Sequence, residues 1–442
     1  MIRKKIREAF ANVFNLPQED VEMLAYGDIP QWDSLEHIKL MIEIGRLTNY
    51  KIPHHDFPKL SSFKSIETYI LSNIEPLSKK VSSDEFPKIY YGLKEVYYDT
   101  SEICLIDTKR GLFYRGKEIN DLANNFSAEE VFYFLIMSKF PSPKDLKDVR
   151  EIFSSSFVLD SKDIFLIENY LKFGIVNLLK VYLSTENYTI STLENYKNYS
   201  FSLLGKMAAL IIGVQNRLNN QQMLKNSGSI AYNIASAFYP KDIKIATEFF
   251  NKDLIIHAEH ESNASAFTAR IATSAQASVN SSLSAAMDTF SGHLHGGAID
   301  KIYDQFELLD TLDDDSLKKF AKKKWDEKKP IYGFGHRVYV DEDPRSLIYK
   351  SVIKTMKKKN IYNSSMKTAD LLESYVRTIS QGTLNPNVDF YCSVAYKSLA
   401  IPQEFHLPLF IISRSIGWLS HIWEQHKKNT LIRPRLHYVG FL

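Results

Sequence analysis

The stretch from His257 to Ala298, HAEHESNASAFTARIATSAQASVNSSLSAAMDTFSGHLHGGA, constrains the fold of this chain more than any other. Between its ends lie mostly Ala, Ser and Thr, with few large side chains. Such residues let neighbouring backbones approach closely, so the stretch is expected to form a helix packed tightly among other helices. It also holds four of the twelve histidines, His257, His260, His293 and His295, as a cluster at each end. Any one of them alone reads as a polar core or surface histidine. Two clusters framing one packed segment predict a site built across the helix termini.

Two later stretches supply matching chemistry. In KKPIYGFGHRVYVDEDPR, Lys328 to Arg345, Gly333 and Gly335 let the backbone approach a ligand and leave His336 on a tight turn. In NPNVDFY, Asn385 to Tyr391, Asp389 follows a Pro-Asn turn. Histidines and a carboxylate from separate segments are the parts needed for acid–base chemistry beside a carbonyl. Arg345, Arg414 and Arg433 add forks that bind carboxylates bidentately, so the substrate is expected to carry several.

A chain of 442 residues exceeds one ordinary core, so two or more domains are expected. The net charge of +3 makes no case for nucleic acid, and Lys322–Lys324 and Lys357–Lys359 read as solvated helix faces. Two cysteines far apart in sequence, Cys104 and Cys392, suggest no disulfide framework and fit a reducing, cytoplasmic setting. MIRKKIREAF lacks a secretory apolar stretch, and LPLFIISRSIGWLSHIW is interrupted by Arg414, so no membrane span is expected.

Residues 1–75 read as a separate helical unit. IRKKIREAFANVF places Ile2, Ile6, Ala9, Phe10 and Val13 at helical spacing. A polar loop leads to WDSLEHIKLMIEIGRLTNYKI, a second helix with Asp33 and Ser34 at its start. One reading of Ser34 is a helix N-cap. Trp-Asp-Ser-Leu before an amphipathic helix also resembles the phosphopantetheine attachment site of acyl carrier proteins, as do the segment's length, its first helix and the later SSFKSIETYI helix. That resemblance implies a four-helix carrier bundle, a 4'-phosphopantetheine arm on Ser34, a phosphopantetheinyl transferase to attach it, and other biosynthetic enzymes as further partners. The segment counts nine Lys/Arg against eleven Asp/Glu, a weaker acidity than carriers usually have. Residues 76–90 are polar and read as a tether.

Beyond it, VYYD, ICLID and LFYRG predict a small β element between Val96 and Gly116. The rest is helical in period, giving an all-α body. EHESNAS, GHLHGGA, GFGHRVY–DPR, PNVDFY, SRSIGW and IRPRLHYVG resemble, in order, the signature segments of citrate synthases, and the likeness runs from near Gly92 to the C-terminus. It implies a multi-helical large domain (91–298 and 402–442) and a smaller closing domain (299–401). It implies condensation of an acyl thioester, acetyl, propionyl or longer, with oxaloacetate or a similar 2-oxo acid. Catalytic roles fall on His295, His336 and Asp389, and acceptor binding on His260, Arg345, Arg414 and Arg433. The arginine matching Arg433 comes from the other subunit in relatives, which implies a homodimer.

The chain departs from the family pattern in places. Residues 149–200 are divergent. Glu259-His260-Glu261 replaces the usual Asp-His-Glu, and His293 stands where proline is usual. SQGTLN, ahead of PNVDFY, lacks the lysine that helps many relatives hold coenzyme A, leaving Arg377 or Arg435 as substitutes and raising the carrier as the source of the acyl group. Three other readings compete: a metal site at His257, His260 and Glu261, a nucleotide loop at GFGH, and a catalytically silent scaffold that presents the carrier to other enzymes.

Overall fold

The computed structural model describes residues 2–73, 89–93, 96–219, 226–336, 338–339 and 342–437. Most of the expected tether, 76–90, lies outside them. The chain divides into two compact units, Met1–Val96 with Leu436–Leu442, and Tyr97–Arg435.

The first unit has helices Ile2–Phe14, Ser34–Thr48 and Phe63–Asn73, with a 3-10 helix at His54–Lys59. Of the expected stripe, Ile6, Ala9 and Phe10 are buried, while Ile2 and Val13 pack partly buried against the same core. The 3-10 helix lies between the last two α-helices of the unit; Pro58 inside it has no N–H to extend an α-helical ladder. Asp33, not Ser34, is the N-cap: its carboxylate accepts from the Leu35 and Glu36 N–H groups. Ser34 is therefore the first helical residue, exposed, with its hydroxyl 3.1 Å from that of Tyr26.

The second unit opens with an antiparallel sheet of β1 (Cys104–Asp107), β2 (Gly111–Tyr114) and β3 (Lys117–Glu118), in that order. The VYYD run is not a strand: Tyr97 is almost fully exposed and no ladder pairs with it. Among the described residues, the other regular elements are helical. Helices Leu193–Leu218 and His406–Lys428 pack against each other in the core, and most of their residues are buried. Helices Ala298–Leu309, Asp314–Asp326, Pro344–Lys358, Ser364–Ile379 and Val388–Ser398 pack against one another, over the span expected for a smaller domain. The divergent segment holds helices Pro143–Ser156, Ser161–Tyr170 and Ile175–Ser184 and the start of Leu193–Leu218.

The small-residue stretch is two helices, not one: Ala264–Ser274 and Val279–Phe290, packed face to face. Gln276 takes a left-handed φ of 62°, and the Ser278 hydroxyl caps the second helix by accepting from Ser281 N–H. The fold-back decides where the site is. A straight helix rising about 1.5 Å per residue would hold the two histidine clusters roughly 50 Å apart. The hairpin instead brings them together: His295 Nε2 lies 2.9 Å from Ser265 Oγ, at the start of the first helix.

No helix among the described residues is long and apolar enough to cross a membrane. Cys104 and Cys392 are free thiols.

Candidate active site

His260 sits just past the end of helix Ile243–His257. The intervening turn is tied by the Tyr114 hydroxyl of β2, which lies 3.1 Å from the Glu259 N–H and 3.0 Å from the Glu259 carbonyl. Glu259 is fully buried and reaches His421 Nε2 at 3.0 Å. Arg270 donates to the other ring nitrogen of His421 at 2.8 Å and pairs closely with Glu424. The longer glutamate fits because residue 417 is glycine. A Cβ there would lie 2.2 Å from Glu259 Oε2 and from the Ala258 carbonyl. A mid-helix glycine costs about 1 kcal/mol against alanine, and here close packing requires it.

His336 is placed by a backbone corner. Gly335 N–H donates to the Asn385 carbonyl at 2.8 Å and Asn387 N–H to the Gly333 carbonyl at 2.9 Å. The GFGH turn is thereby fastened to the segment carrying Asp389. Gly333 has φ +87°, and a Cβ on it would strike the Phe390 ring, so both backbone and space demand glycine. His336 Nδ1 accepts from the N–H groups of Val338 and Tyr339 at 3.0 and 3.1 Å. Burial and the Arg345 charge push its pKa down to about 4. With Nδ1 accepting from both N–H groups, the neutral ring at pH 7 carries its proton on Nε2, so Arg345 Nη2, itself only a donor, approaches that nitrogen at 3.3 Å without a hydrogen bond to it.

His295 is also pushed down to about 4, by burial and by Arg414. Its Nε2 faces Ser265 Oγ at 2.9 Å and Asn263 Oδ1 at 3.3 Å. Ser265 Oγ accepts the Trp418 indole N–H at 3.0 Å. Its own proton has two acceptors in reach, Asn263 Oδ1 at 2.7 Å and His295 Nε2, so the orientation of one hydroxyl selects the histidine tautomer.

Both arginines are buried. Arg345 is held by Asp343 through Nε at 3.0 Å and Nη2 at 2.8 Å. Burial works against both charges, but the pair outweighs it: Arg345 is raised and Asp343 lowered from their ordinary values. Asp343 also caps helix Pro344–Lys358 and accepts the Val388 N–H, next to Asp389, at 3.1 Å. Arg414 donates from Nε to the His257 carbonyl at 2.6 Å, and among the described residues its Nη groups have no acceptor. Burial, only partly offset by Glu259, lowers its pKa.

His260 is depressed well below the ordinary histidine value, first by burial and then by Arg345, His336, Arg414 and His295. Burial likewise raises the Asp389 carboxyl, although His257, Arg345 and Arg414 oppose the rise. Of the predicted residues, His260, His295, His336, Asp389, Arg345 and Arg414 thus share one site. Arg433 does not join them: it is exposed and makes no ion pair among the described residues. Arg377 lies 3.1 Å from Asn385 Oδ1, but Glu342 and Glu373 already match its charge. Arg435 is exposed.

The metal reading at His257, His260 and Glu261 fails on geometry. The helix ends at His257, so the two histidines do not share its face, and Glu261 is exposed. Among the described residues, the ligand-type atoms that do converge are those of Asp253, His257 and Cys392, within 4.8 Å of one another. Asp253 already accepts from the hydroxyls of Tyr349 and Tyr396, which marks a polar network within the core. His257 belongs to this network, a placement that sequence reasoning missed.

Five buried polar atoms in this region have no partner among the described residues: Asp389 Oδ1, His257 Nε2, His260 Nε2, Glu259 Oε2 and Tyr339 OH. Each such group costs about 1–3 kcal/mol, so their concentration here marks a place built to hold a polar ligand.

The family profile described as "Citrate synthase, C-terminal domain" matches residues 92–435. "Citrate synthase 2" of Bacillus subtilis is 31% identical over 373 residues, covering 79% of this chain and 95% of the relative. "Citrate synthase" of Saccharolobus solfataricus is 32% identical over 365 residues, with 79% and 95% covered. "2-methylcitrate synthase 2" of Corynebacterium glutamicum is 30% identical over 365 residues, with 79% and 94% covered. Among solved structures, citrate synthase from Thermotoga maritima MSB8 superposes with a TM-score of 0.72 at 26% identity, over 80% of this chain and 97% of its own. A ternary complex of Thermoplasma acidophilum citrate synthase with carboxymethyl coenzyme A and oxaloacetate gives the same values. With a profile match over most of its length and a site assembled from the predicted motifs, the chain belongs to the citrate synthase family.

Proposed function

We propose that the second unit condenses an acyl thioester with oxaloacetate, forming a carbon–carbon bond at the acyl α-carbon. The observation that carries this reading is the convergence of Asp389, His295 and His336 with two buried arginines. Asp389 is the base that removes the α-proton; its raised pKa and unpaired Oδ1 suit a carboxylate kept for proton transfer. His295 donates to the thioester oxygen as the enolate forms. That role requires the Ser265 hydroxyl to point at His295 Nε2, leaving the ring proton on Nδ1. One preorganised donor of this kind supplies about 3–4 kcal/mol. His336, neutral with its proton on Nε2, polarises and then protonates the acceptor ketone. Arg345, Arg414 and His260 hold the acceptor's carboxylates and carbonyl, and Arg433 serves the neighbouring subunit's site in a homodimer. The smaller domain closes over the acceptor and excludes water. The intact acid–base set favours an enzyme over a silent scaffold. An assay with oxaloacetate and acetyl, propionyl and longer thioesters tests the reading. Citrate or alkylcitrate is the expected product, and no condensation with any donor would overturn it.

We further propose that the first unit is an acyl carrier whose Ser34 bears a 4'-phosphopantetheine arm holding the acyl donor or the condensed product. Ser34 is exposed at the first position of its helix, open to modification, and SQGTLN lacks the expected lysine. A tethered donor present at an effective millimolar concentration needs fewer contacts to adenosine and its phosphates. Treatment with a phosphopantetheinyl transferase is expected to add the arm's mass at Ser34. The Ser34→Ala protein is expected to stay unmodified and to lose turnover of carrier-loaded donor while still binding oxaloacetate. Failure of the wild type to take up the arm, or full Ser34→Ala activity with coenzyme A thioesters excluded, would sink the carrier assignment.

A further inference from the structure

Tyr339 follows His336 by three residues, and the condensation proposed above gives it no role. The turn that sets the His336 ring also sets Tyr339, whose N–H donates to His336 Nδ1 at 3.1 Å. The phenol ring packs against two imidazoles of the site. Its centroid lies 4.6 Å from that of His336, at an interplanar angle of 38°, and 5.7 Å from that of His260, at 72°. The two imidazoles are 5.3 Å apart, centroid to centroid. The three rings thus close a triangle in which each packs against the other two.

Each ring of the triangle holds a polar atom left open. His260 Nε2 and Tyr339 OH are buried with no partner among the described residues. The His336 Nε2–H faces Arg345 Nη2, which is a donor too. Tyr339 is 5% exposed, so bulk water does not reach its hydroxyl. Other buried tyrosines of this unit meet the same need inside the protein. The hydroxyl of Tyr196 donates to the Leu419 carbonyl at 2.7 Å, that of Tyr396 to the Asp253 carboxylate at 2.9 Å, and that of Tyr114 to the Glu259 carbonyl at 3.0 Å. A phenylalanine at 339 would fill the same ring space without burying an unmet hydroxyl. The hydroxyl therefore destabilises the unliganded fold, and it does so between two imidazoles of the site, where a polar ligand would remove the penalty. Burial also raises the phenol's pKa, so at pH 7 it is a protonated donor, the complement of a carboxylate oxygen.

We propose that Tyr339 is a further substrate-binding residue, whose hydroxyl donates to the carboxylate adjoining the ketone of the 2-oxo acid acceptor. This rests on His336 and His260 holding that end of the acceptor. With His336 on the ketone oxygen, the adjoining carboxylate is the next acceptor for a ring packed on both imidazoles. The contact adds a donor and no charge. Two buried guanidiniums, Arg345 and Arg414, already match the acceptor's two carboxylates. A third buried cation would stand uncompensated in the empty site, whereas a neutral phenol satisfies one more carboxylate lone pair without that cost.

The full-length Tyr339→Phe protein loses the hydroxyl and keeps the ring. Its binding of oxaloacetate, measured by titration calorimetry without an acyl donor, is expected to weaken about tenfold. The KM for oxaloacetate is expected to rise by a similar factor, with kcat falling less than about threefold, as loss of a contact made equally in the ground and transition states requires. Without ligand the variant is expected to melt at the same temperature as wild type or higher, while a fixed concentration of oxaloacetate raises its melting temperature by less. The two readouts move in opposite directions, which a packing role would not produce. A variant that fails to fold, or melts well below wild type without ligand, would show that the hydroxyl bonds within the protein and would overturn the proposal. So would a variant that binds oxaloacetate as tightly as wild type. A fall in kcat with unchanged binding would take the hydroxyl off the carboxylate and overturn the assignment as well. Wild type that binds no oxaloacetate would remove the acceptor reading itself. Wild type that binds it, beside an unaffected Tyr339→Phe protein, would remove only the Tyr339 contact.

Discussion

The Asp389→Asn protein is expected to fold, to bind oxaloacetate, and to lose condensation by at least about a thousandfold. The amide matches the carboxylate in shape but cannot take the α-proton. The local structure does not hang on a hydrogen bond to the carboxylate: Asn387, not Asp389, caps helix Val388–Ser398, and Asp389 Oδ1 has no partner among the described residues. The stability effect has the opposite sign to the activity effect. A carboxyl whose folded pKa is raised above its unfolded value contributes most stability at low pH, and that contribution is lost as pH rises through the raised value. An ionised Asp389 is therefore a burden on the folded state, and the Asn protein is expected to melt at an equal or higher temperature. Assay and thermal melt on one preparation check both halves. Undiminished turnover would remove Asp389 as the base.

The largest loss of stability is expected from Asp343→Ala. Asp343 is 1% exposed and Arg345 is 3% exposed, so the substitution strands a buried guanidinium. It also removes the cap of helix Pro344–Lys358 and the acceptor for Val388 N–H. Breaking a buried pair from one side costs about 3–5 kcal/mol, a drop in melting temperature on the order of 10 °C. The pH dependence follows from the lowered carboxyl pKa. Such a group contributes its full stability above the unfolded value, near 3.9, and loses it as pH falls through the depressed folded value. The gap between wild type and variant is therefore expected to be widest near neutrality and to narrow below about pH 4. Arg345 would also lose its orientation, raising the KM for the acceptor. A variant melting within a degree or two of wild type at pH 7 would show that the pair contributes little.

The site residues were legible because they sit in short local motifs, and for His295, His336, Arg345 and Asp389 glycines or prolines shape the turn. Their partners were not, because the chain brings them from far away. Nothing in EHESNAS announces that Ser265 lies under the Trp418 indole, and Asp253 meets Tyr396 from the far side of the sequence. The hairpin escaped notice because SAQASVN contains neither glycine nor proline. Gln276 makes the turn, and the only local signal was a capping serine at 278, three residues before Ser281. At Ser34 the neighbouring aspartate took the N-cap place, which the sequence WDSL offers equally to both. The small β element was placed one run too early, because aromatic content in VYYD mimics strand propensity where no partner strand exists.

The surroundings of Gly417 limit the routes by which this chain can change. Alanine at 417 meets the Glu259 carboxylate and the Ala258 backbone carbonyl, each at 2.2 Å. A shorter acid at 259 would draw the carboxylate back, and away from His421, but would leave the carbonyl in place. No single compensating side chain therefore frees position 417. A residue there demands that the turn leading to His260 itself move, so the glycine is tied to the placement of the site rather than to one neighbour.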